Sequence, residues 1–481
     1  MSSQSVLTTI SPITSKPIHT TSATTSASLP AIIKSAHSAQ VSFFDSTTLD
    51  QRIALATKFL DGLEAKADIL GKDITESMGR PIQYTGGEIK TAVKRGRFLV
   101  SVASEVLSPH RESYDDDAQL DRWLEKEPLG IIFVIFAWNY PYLILINSLI
   151  PALIAGNALL LKPSPQIPTI PASVIDLLIS ADFPNDLVQA VHSGDPSFIA
   201  EVVQNPLVAH TVFTGSFPGG LAVARASASF TPTPTAPGFK TFSLELGGND
   251  PAYVRADVDP KWAAEQIADG ALFNSGQSCC AIERVYVHEG VYDKFVEELV
   301  EVVKGYTLGD PRQGGVMLGP VVSTAAASRV RAQISEALSQ GAKSLTPPGL
   351  FDAAEKLGEA FVRPEILVDV THDMEVMTSE TFGPVIPVMR VGGDEEAIRL
   401  MNDSELGLTA SVWTRSEEEG RGVARGVQAG TVFVNRCDYP DPTLAWTGHK
   451  NSGRGHALSR FGFDQFVNLK SYHVKKYTGP A

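Results

Sequence analysis

The chain has 481 residues, 43% of them hydrophobic, so it holds enough apolar material to rule out disorder over most of its length. Its 54 acidic and 40 basic side chains leave a net charge of −14, which disfavours non-specific binding to nucleic acid or to an anionic membrane. The length suggests two or three domains. Three cysteines are too few for a disulfide framework, so we expect free thiols in a reducing, cytoplasmic compartment, and we predict no metal centre.

Residues 49–107 carry apolar side chains at three- and four-residue spacing, which predicts helices. From residue 131 to about residue 246, short apolar runs alternate with helical stretches, which is typical of a parallel, doubly wound sheet. The predicted strands of this region are 131–137, 158–161, 187–191, 210–213 and 241–244. The proline-rich stretch 231–238 predicts an exposed loop.

The stretch 129–161 has no charged residue and is long enough to cross a bilayer. Asn139, Pro141, Asn147 and Pro151 interrupt it, and each would cost free energy in hydrocarbon. We therefore interpret it as a buried strand, an apolar helix and a second buried strand, and we expect no membrane association.

A second alternating region follows. It contains predicted strands at 285–288, 387–391 and 431–435 and predicted helices at 292–304 and 330–340. Residues 468–477 alternate like an edge strand, which normally finds a partner, and another subunit would supply one. The fold class is therefore α/β, with two lobes of similar size.

Two segments carry groups suited to covalent catalysis. Cys279 lies on a Gly-Gln-Ser turn predicted between a helix and a strand, where a thiolate can face a cleft. An isolated cysteine is more often a small buried hydrophobe. Glu245 ends an apolar strand, so apolar walls would raise the pKa of its carboxyl and suit it to be a general base; the alternative is a solvated turn residue.

Two further segments end strands at glycine- or proline-containing turns. The Asn139 amide, before Pro141, either donates to a developing oxyanion or forms a turn. The segment from Gly215 and Ser216 to Gly220 opens a helix, which is the arrangement that seats a pyrophosphate on a helix N-terminus. It lacks the G-x-G-x-x-G fingerprint, so alone it is a weak signal.

Taken together, the order and spacing of these segments resemble the aldehyde dehydrogenase superfamily over nearly the whole chain. Glu245 precedes Cys279 by 34 residues and Asn139 precedes Lys162 by 23, as the family leads us to expect. The matching segments are Trp138-Asn139-Tyr-Pro141, Leu161-Lys162-Pro-Ser164, Phe213-Thr-Gly215-Ser216, Leu244-Glu245-Leu-Gly-Gly248, Gly276-Gln-Ser-Cys279, Glu380-Thr-Phe382-Gly-Pro384, Asn402…Leu406-Gly407-Leu408 and Gly430-Thr-Val-Phe-Val-Asn435.

The resemblance implies a hydrolytic, NAD(P)-dependent oxidation of an aldehyde to the acid. Cys279 would be the nucleophile, Asn139 an oxyanion-hole donor, and Glu245 the base that activates water against the thioester. The residues implied in cofactor binding are Trp138, Lys162, Ser164, Gly215, Ser216, Gly220, Leu246, Glu380 and Phe382. Those expected at the substrate pocket are Tyr142, Ser278, Cys280, Tyr439 and Trp446.

The resemblance also implies the domain organisation. A Rossmann-like, doubly wound cofactor-binding domain would comprise residues 1–113 and 129–246, and an α/β catalytic domain would comprise residues 247–445. Residues 114–128 and 462–481 would form a small β oligomerisation arm, which implies a homodimer or homotetramer.

Two departures from the family pattern bear on function. Pro165 stands where NAD-preferring members commonly carry a ribose-binding glutamate, so NADP would be tolerated, although NAD is favoured as the commoner cofactor. Ala457 stands where many relatives carry a glutamate, which leaves Glu245 as the sole candidate base. The stretch 231–238 is seven residues longer than expected, and its role stays open.

Two alternatives remain beside the hydrolytic enzyme. In a CoA-acylating relative, CoA would intercept the thioester, but such enzymes generally lack the base. A catalytically retired structural or binding member would have no reason to retain Cys279, Glu245 and Asn139. The aldehyde itself is not determined, because Tyr439, Leu444 and Trp446 favour an apolar substrate, whereas Arg436 either binds a carboxylate or, as is more common, forms a surface ion pair.

Overall fold

The computed structural model describes residues 5–111, 120–229 and 239–479. The predicted loop at 231–238 and residues 114–119 of the predicted arm lie outside these ranges. The helices are α1 (Leu29–Ser46), α2 (Leu49–Ala65), α3 (Ala67–Met78), α4 (Ile82–Leu107), α5 (Pro141–Ala155), α6 (Ile170–Ser180), α7 (Pro196–Gln204), α8 (Phe217–Ala228), α9 (Pro260–Leu272), α10 (Tyr292–Lys304), α11 (Thr324–Ser339), α12 (Asp352–Glu355), α13 (Glu375–Thr378), α14 (Asp394–Asn402) and α15 (Glu417–Arg425).

The strands are β1 (Val6–Ile10), β2 (Pro17–Ser22), β3 (Leu120–Pro128), β4 (Ile131–Phe136), β5 (Ala158–Pro163), β6 (Val188–Ala190), β7 (Val208–Thr214), β8 (Thr241–Glu245), β9 (Asp250–Val254), β10 (Ile282–His288), β11 (Lys343–Ser344), β12 (Glu365–Val368), β13 (Val385–Val391), β14 (Leu406–Gly407), β15 (Thr409–Trp413), β16 (Thr431–Val434), β17 (His449–Lys450), β18 (Gly453–Arg454) and β19 (Val467–Lys475). The predicted strands and helices of both alternating regions are all present, with shifted ends.

The first sheet has the order β18-β8-β7-β4-β5-β6, and the four pairings among the five strands beyond β18 run parallel, as predicted. The uncharged stretch forms β4, α5 and β5, and every residue of both strands is buried. No helix within the described ranges is long and apolar enough to cross a bilayer. Parallel strands present their carboxyl ends at one edge, which places Thr214 and Glu245 side by side there.

Helices α2, α3 and α4 precede the first sheet in the chain, and α2 and α3 both pack against α4. Helix α2 begins at a capping box. The Thr48 hydroxyl oxygen accepts a hydrogen bond from the backbone N–H of Gln51, and the Gln51 side-chain oxygen accepts one from the backbone N–H of Thr48. Gly79, at φ 86°, ends α3 in the left-handed conformation. Helix α4 then packs along α5, so its buried face lies against the elements that carry the site.

The second sheet has the order β11-β12-β13-β10-β9-β15-β16 and is parallel except for β11. Side chains alternate between its two faces. Ala252 and Val254 of β9 join one apolar cluster with α9, whereas Tyr253 belongs to a different cluster. Both faces are therefore covered, as the predicted α/β class requires.

Three two-stranded sheets accompany the two large ones in the described residues, namely β1–β2, β14–β17 and β3–β19. Strands β3 and β19 pair antiparallel over nine residues each, and the rings of Trp123 and Tyr472 stack with centroids 4.5 Å apart. The C-terminal edge strand therefore has a partner within its own chain. The β1–β2 hairpin lies in a serine- and threonine-rich region for which no strand was predicted. It is tied to the first sheet because the Thr9 hydroxyl donates to the Pro165 carbonyl oxygen at 2.7 Å.

Candidate active site

A cavity of about 450 Å³ lies where the carboxyl end of β8, helices α4 and α5 and the turn before β10 meet. Cys279, Glu245 and Asn139 all line it. Glu245 and Cys279 are 34 positions apart along the chain, and Asn139 precedes Glu245 by 106 positions. The fold therefore brings the three residues together. The three side chains predicted to carry the chemistry share one cavity.

Cys279 follows a turn whose backbone is tightly constrained. Asn274, Ser275 and Gly276 have φ values of 55°, 57° and 72°, all in the left-handed region. A Cβ atom on Gly276 would lie 2.2 Å from the carbonyl oxygen of Gly383, so this position requires glycine. The Ser275 hydroxyl donates to the Gly319 carbonyl oxygen at 2.9 Å. The half-buried Cys279 thiol is thus presented from a rigid support.

Asp438 fixes both neighbours of Cys279. Its Oδ1 accepts hydrogen bonds from the Ser278 hydroxyl at 2.7 Å and from the Cys280 thiol at 3.0 Å. Burial raises the pKa of Asp438 to about 6. The pKa of the Cys280 thiol is raised by its hydrogen bond with Cys279, by burial and by Asp438, so Cys280 stays a protonated donor.

Glu245 is the last residue of β8 and lies opposite Thr214 in the parallel pairing with β7. The Thr214 hydroxyl approaches its Oε2 at 3.5 Å, which is a long contact. Burial raises the pKa of Glu245 to about 7, while the positive charge of Arg95 acts to lower it. A carboxyl with a pKa near neutrality can take a proton from water at working pH.

Asn139 is held by a buried ion pair. Arg80 and Glu88 pair with side chains that are each 1% exposed, and Arg80 donates to the Asn139 backbone carbonyl oxygen. Arg80 Nε also donates to Asn274 Oδ1 at 3.0 Å, on the turn before Cys279. The Asn139 side-chain amide donates to the Gln277 carbonyl oxygen at 3.3 Å. The predicted oxyanion donor and the nucleophile are therefore tied to one network.

A second group of predicted residues lies at the carboxyl end of β5. Lys162 is 9% exposed, and burial lowers the pKa of its ammonium to about 8. No carboxylate in the described part of the chain forms an ion pair with Lys162. Ser164 donates its backbone N–H to the Phe136 carbonyl oxygen at 3.0 Å, and the exposed Pro165 follows it. A buried, unpaired cation of this kind fits an anionic or hydroxyl-bearing ligand.

Gly215 and Ser216 lie between β7 and the twelve-residue helix α8. The Ser216 side chain makes no capping hydrogen bond, so the first N–H groups of α8 are left for another acceptor. A Cβ atom on Gly220 would lie 2.6 Å from Leu246 Cδ2, so the absence of a side chain lets the helix approach the turn after β8. This helix N-terminus is suited to a phosphate group.

Glu380 lies against the turn that follows Glu245. Its Oε1 accepts the Gly248 N–H at 3.0 Å, and a Cβ atom on Gly247 would lie 2.3 Å from the same oxygen. Burial raises the pKa of Glu380 to about 7. The rings of Phe382 and Trp138 meet edge to face, with centroids 5.6 Å apart. These residues, with Lys162 and the start of α8, fit a dinucleotide that has a ribose, a pyrophosphate and a flat ring.

Comparison with known proteins gives the same family as the resemblance of the sequence motifs. The model of the aldehyde dehydrogenase family matches residues 1–472. The chain belongs to the aldehyde dehydrogenase family. It is an NAD(P)-dependent aldehyde dehydrogenase, so the predicted fold class and enzyme class are confirmed.

Curated relatives and solved structures cover nearly the whole chain. This aldehyde dehydrogenase is 30% identical over 473 residues to succinate-semialdehyde dehydrogenase [NADP(+)] 1 of Mycobacterium ulcerans, covering 97% of this chain and 99% of the relative. It is 31% identical over 475 residues to the protein of that name from Mycobacterium tuberculosis, covering 97% and 99%. The structure of succinic semialdehyde dehydrogenase from Streptococcus pyogenes in complex with NADP+ matches at 27% identity and a TM-score of 0.90, covering 98% of this chain and 100% of that one.

Four of the five residues predicted for the substrate pocket line the cavity, namely Ser278, Cys280, Tyr439 and Trp446. Tyr142 is not among the lining residues: it is 1% exposed in the hydrophobic core, and its backbone N–H donates to Glu88 Oε1 at 3.0 Å. Tyr140, which directly precedes α5, lines the cavity instead, together with Leu143, Ile144 and Asn147 at helical spacing. Leu444 is 62% exposed and also lies away from the lining.

Arg436 takes neither of the two roles considered for it. It is exposed, and its guanidinium stacks 3.8 Å from the ring centroid of Tyr439. Within the described ranges it forms no ion pair, and it is not a lining residue of the cavity.

Sequence reasoning missed five charged residues that line the cavity: Arg80, Glu88, Arg95, Asp269 and Asp438. Arg95 lies in the basic run Lys94-Arg95-Gly-Arg97, which resembles a solvated helix face. The available signal was periodicity, since Arg95 repeats at helical spacing with the buried Ala92 and Leu99. Asp438 lies between Arg436 and Tyr439, which were both considered in relation to the substrate, but no pattern distinguished it.

Proposed function

We propose that Cys279, Glu245 and Asn139 carry the oxidation of the aldehyde, and that the product is the free acid. The observation that carries this proposal is that all three side chains line one cavity. Cys279, as the thiolate, would add to the aldehyde carbon to give a thiohemiacetal. The Asn139 amide and the Cys279 backbone N–H would donate to the oxygen that becomes negatively charged.

A bound nicotinamide would supply the acceptor for the hydride that leaves the thiohemiacetal carbon. Cys279 would then hold that carbon as a thioester. Glu245 would remove a proton from a water molecule as that water attacks the thioester, and the C–S bond would break to release the acid and the thiolate. A pKa of about 7 for Glu245 supports this role, since part of the carboxyl is unprotonated at neutral pH.

We propose that Lys162 and Ser164 bind the adenosine ribose, and that Gly215, Ser216 and Gly220 bind the pyrophosphate. Leu246, Glu380, Trp138 and Phe382 would hold the nicotinamide riboside. The exposed Pro165 leaves no carboxylate to repel a 2′-phosphate, and the named relatives use NADP. We therefore propose NADP as an accepted cofactor, in agreement with the tolerance of NADP that Pro165 led us to expect.

The relatives' names also suggest a substrate, and we propose short aldehydes that carry a carboxylate, such as succinic semialdehyde. The domain boundaries of the sequence analysis, the cytoplasmic location and a homodimer or homotetramer remain proposals. The exposed edge of β19, with Leu469 67% and Val474 48% exposed, supports association through the arm, and light scattering on the purified protein would measure it.

The test of the mechanism is absorbance at 340 nm in Cys279→Ala and Glu245→Gln variants. Cys279→Ala should abolish oxidation, whereas Glu245→Gln should give one burst of reduced cofactor and then stop, because the thioester is not hydrolysed. Glu297→Gln, a surface change on α10, is the matched control and should keep full turnover. Steady turnover in either active-site variant would overturn the assigned roles.

A further inference from the structure

Arg95 is a buried cation in the wall of the catalytic cavity. It extends from α4, is 5% exposed and lines the cavity together with Glu245 and Cys279. Its neighbours on the helix, Lys94 and Arg97, are exposed. A guanidinium at this position loses its hydration, which costs free energy unless ion pairs and hydrogen bonds replace it.

The hydrogen bonds of Arg95 are incomplete. Nη2 donates to the Pro440 carbonyl oxygen at 3.2 Å, and Nη1 lies 3.5 Å from Asn147 Oδ1. Nε is buried without a partner, and no carboxylate of the described residues lies within ion-pair distance. Three of five N–H donors are thus left over.

The other buried arginines of the described ranges are satisfied. Arg80 pairs with Glu88, and Arg52 Nε donates to the Ile154 carbonyl oxygen at 2.8 Å. Arg284 donates to the carbonyl oxygens of Asn249 and Met401 at 2.8 and 3.1 Å. Among these four buried arginines, Arg95 is the one with an unpartnered buried nitrogen, so the deficit is specific to the cavity.

Four acidic side chains line the cavity, and none forms an ion pair with Arg95. Asp269 of α9 is exposed and lies beyond ion-pair distance of Arg95, and the other three are committed elsewhere. Asp438 accepts from Ser278 and Cys280, and Glu88 is paired with Arg80. Glu245 must exchange protons with water during turnover, which a permanent ion pair would prevent. The counter-ion of Arg95 therefore has to come from the ligand.

We propose that Arg95 binds a carboxylate at the end of the substrate remote from the aldehyde, and that it selects short aldehydes with an anionic end. This inference rests on the proposed function and identifies Arg95 as the residue that gives the enzyme its substrate specificity. Leu143 and Ile144 of α5 line the same cavity and offer apolar contact for the intervening methylene groups. Asn147 and the Pro440 carbonyl orient the guanidinium, and Nε with the free N–H groups donates to the carboxylate.

The test compares 4-oxobutanoate with its methyl ester, which has the same aldehyde and chain but no charge. The measured quantity is the ratio of kcat/KM for the acid to kcat/KM for the ester, since effects on Cys279 or Glu245 cancel in it. Arg95→Met should lower this ratio by about 10- to 100-fold, as expected for lost charge-assisted hydrogen bonds. Arg95→Lys should restore part of it. Arg97→Met, an exposed change two residues along α4, should keep the wild-type ratio.

A second variant keeps Arg95 in place, so the inference can still be tested if Arg95→Met does not fold. Asn147→Asp places a carboxylate 3.5 Å from Nη1 and should lower the same ratio by occupying the guanidinium. Equal losses on both substrates in Arg95→Met and Asn147→Asp would overturn the inference and leave the proposed function standing. A wild-type ratio near one would overturn both the inference and the proposed carboxylate-bearing substrate, and would leave the proposed oxidation through Cys279, Glu245 and Asn139 standing. If the wild type oxidises neither substrate with NAD or NADP, the proposed function fails instead.

Discussion

The Cys280 Sγ atom lies 3.0 Å from Asp438 Oδ1. The same oxygen accepts the Ser278 hydroxyl, so one carboxylate holds the residues on both sides of Cys279. Asp438 itself has φ of 44°, a left-handed conformation that aspartate and asparagine tolerate better than most residues. A residue outside the proposed reacting set thus positions Cys279, the proposed nucleophile.

Removing this acceptor should slow the enzyme. Asp438→Ala leaves two buried donors unpaired, each at a cost of about 1–3 kcal/mol. We expect lower kcat for every aldehyde and slower alkylation of Cys279 by iodoacetamide. Asp438→Asn keeps an oxygen acceptor and suits the backbone, so it should retain most of both rates. Wild-type alkylation in Asp438→Ala would contradict the positioning role.

The hydrolytic step should depend on pH through Glu245. Burial raises the pKa of Glu245 to about 7, and the base form exists above that value, so deacylation should fall as the pH drops through 7 and level off above it. Because the Arg95 charge lowers this pKa, Arg95→Met should move the inflection to higher pH. Single-turnover release of acid between pH 5 and 9 would measure both. An inflection unmoved by Arg95→Met would show that the two charges do not interact.

The alternating pattern predicted the first parallel sheet and the strands of the second, because buried parallel strands are short apolar runs separated by helices. It failed for β1 and β2, where consecutive threonines interrupt the apolar pattern and the two strands form a hairpin held by contacts such as that of Thr9 with Pro165. Such strands depend on tertiary contacts, which a local pattern does not contain.

The predicted site residues came from motif order, which identified Cys279, Glu245 and Asn139 as a set. Arg95 and Asp438 could not be found in this way, because their importance comes from what the fold places beside them. Arg95 matters because its Nε has no partner, and Asp438 because two donors converge on one oxygen. Those are properties of three-dimensional contacts.

The cofactor preference should respond to residue 165. Pro165→Glu adds a carboxylate beside the proposed ribose site, where it would repel a 2′-phosphate. We expect the ratio of kcat/KM for NADP to that for NAD to fall by about tenfold or more, which corresponds to about 1.4 kcal/mol. Pro165→Gln has the same length without the charge and is the control. An equal fall in both variants would indicate a steric effect rather than an electrostatic one.

The Arg80–Glu88 pair should contribute strongly to stability because both side chains are 1% exposed. Glu88→Gln leaves the Arg80 guanidinium as an uncompensated buried charge, which costs about 3–5 kcal/mol. The matched surface change is Glu64→Gln, which removes one partner of the half-exposed Arg97 and should cost about 1 kcal/mol or less. Urea unfolding followed by circular dichroism would compare the two midpoints. Equal midpoints for the two variants would refute the strong contribution of this pair to stability. Because Arg80 also donates to the Asn139 carbonyl oxygen and to Asn274, Glu88→Gln should lower kcat even where the protein is folded.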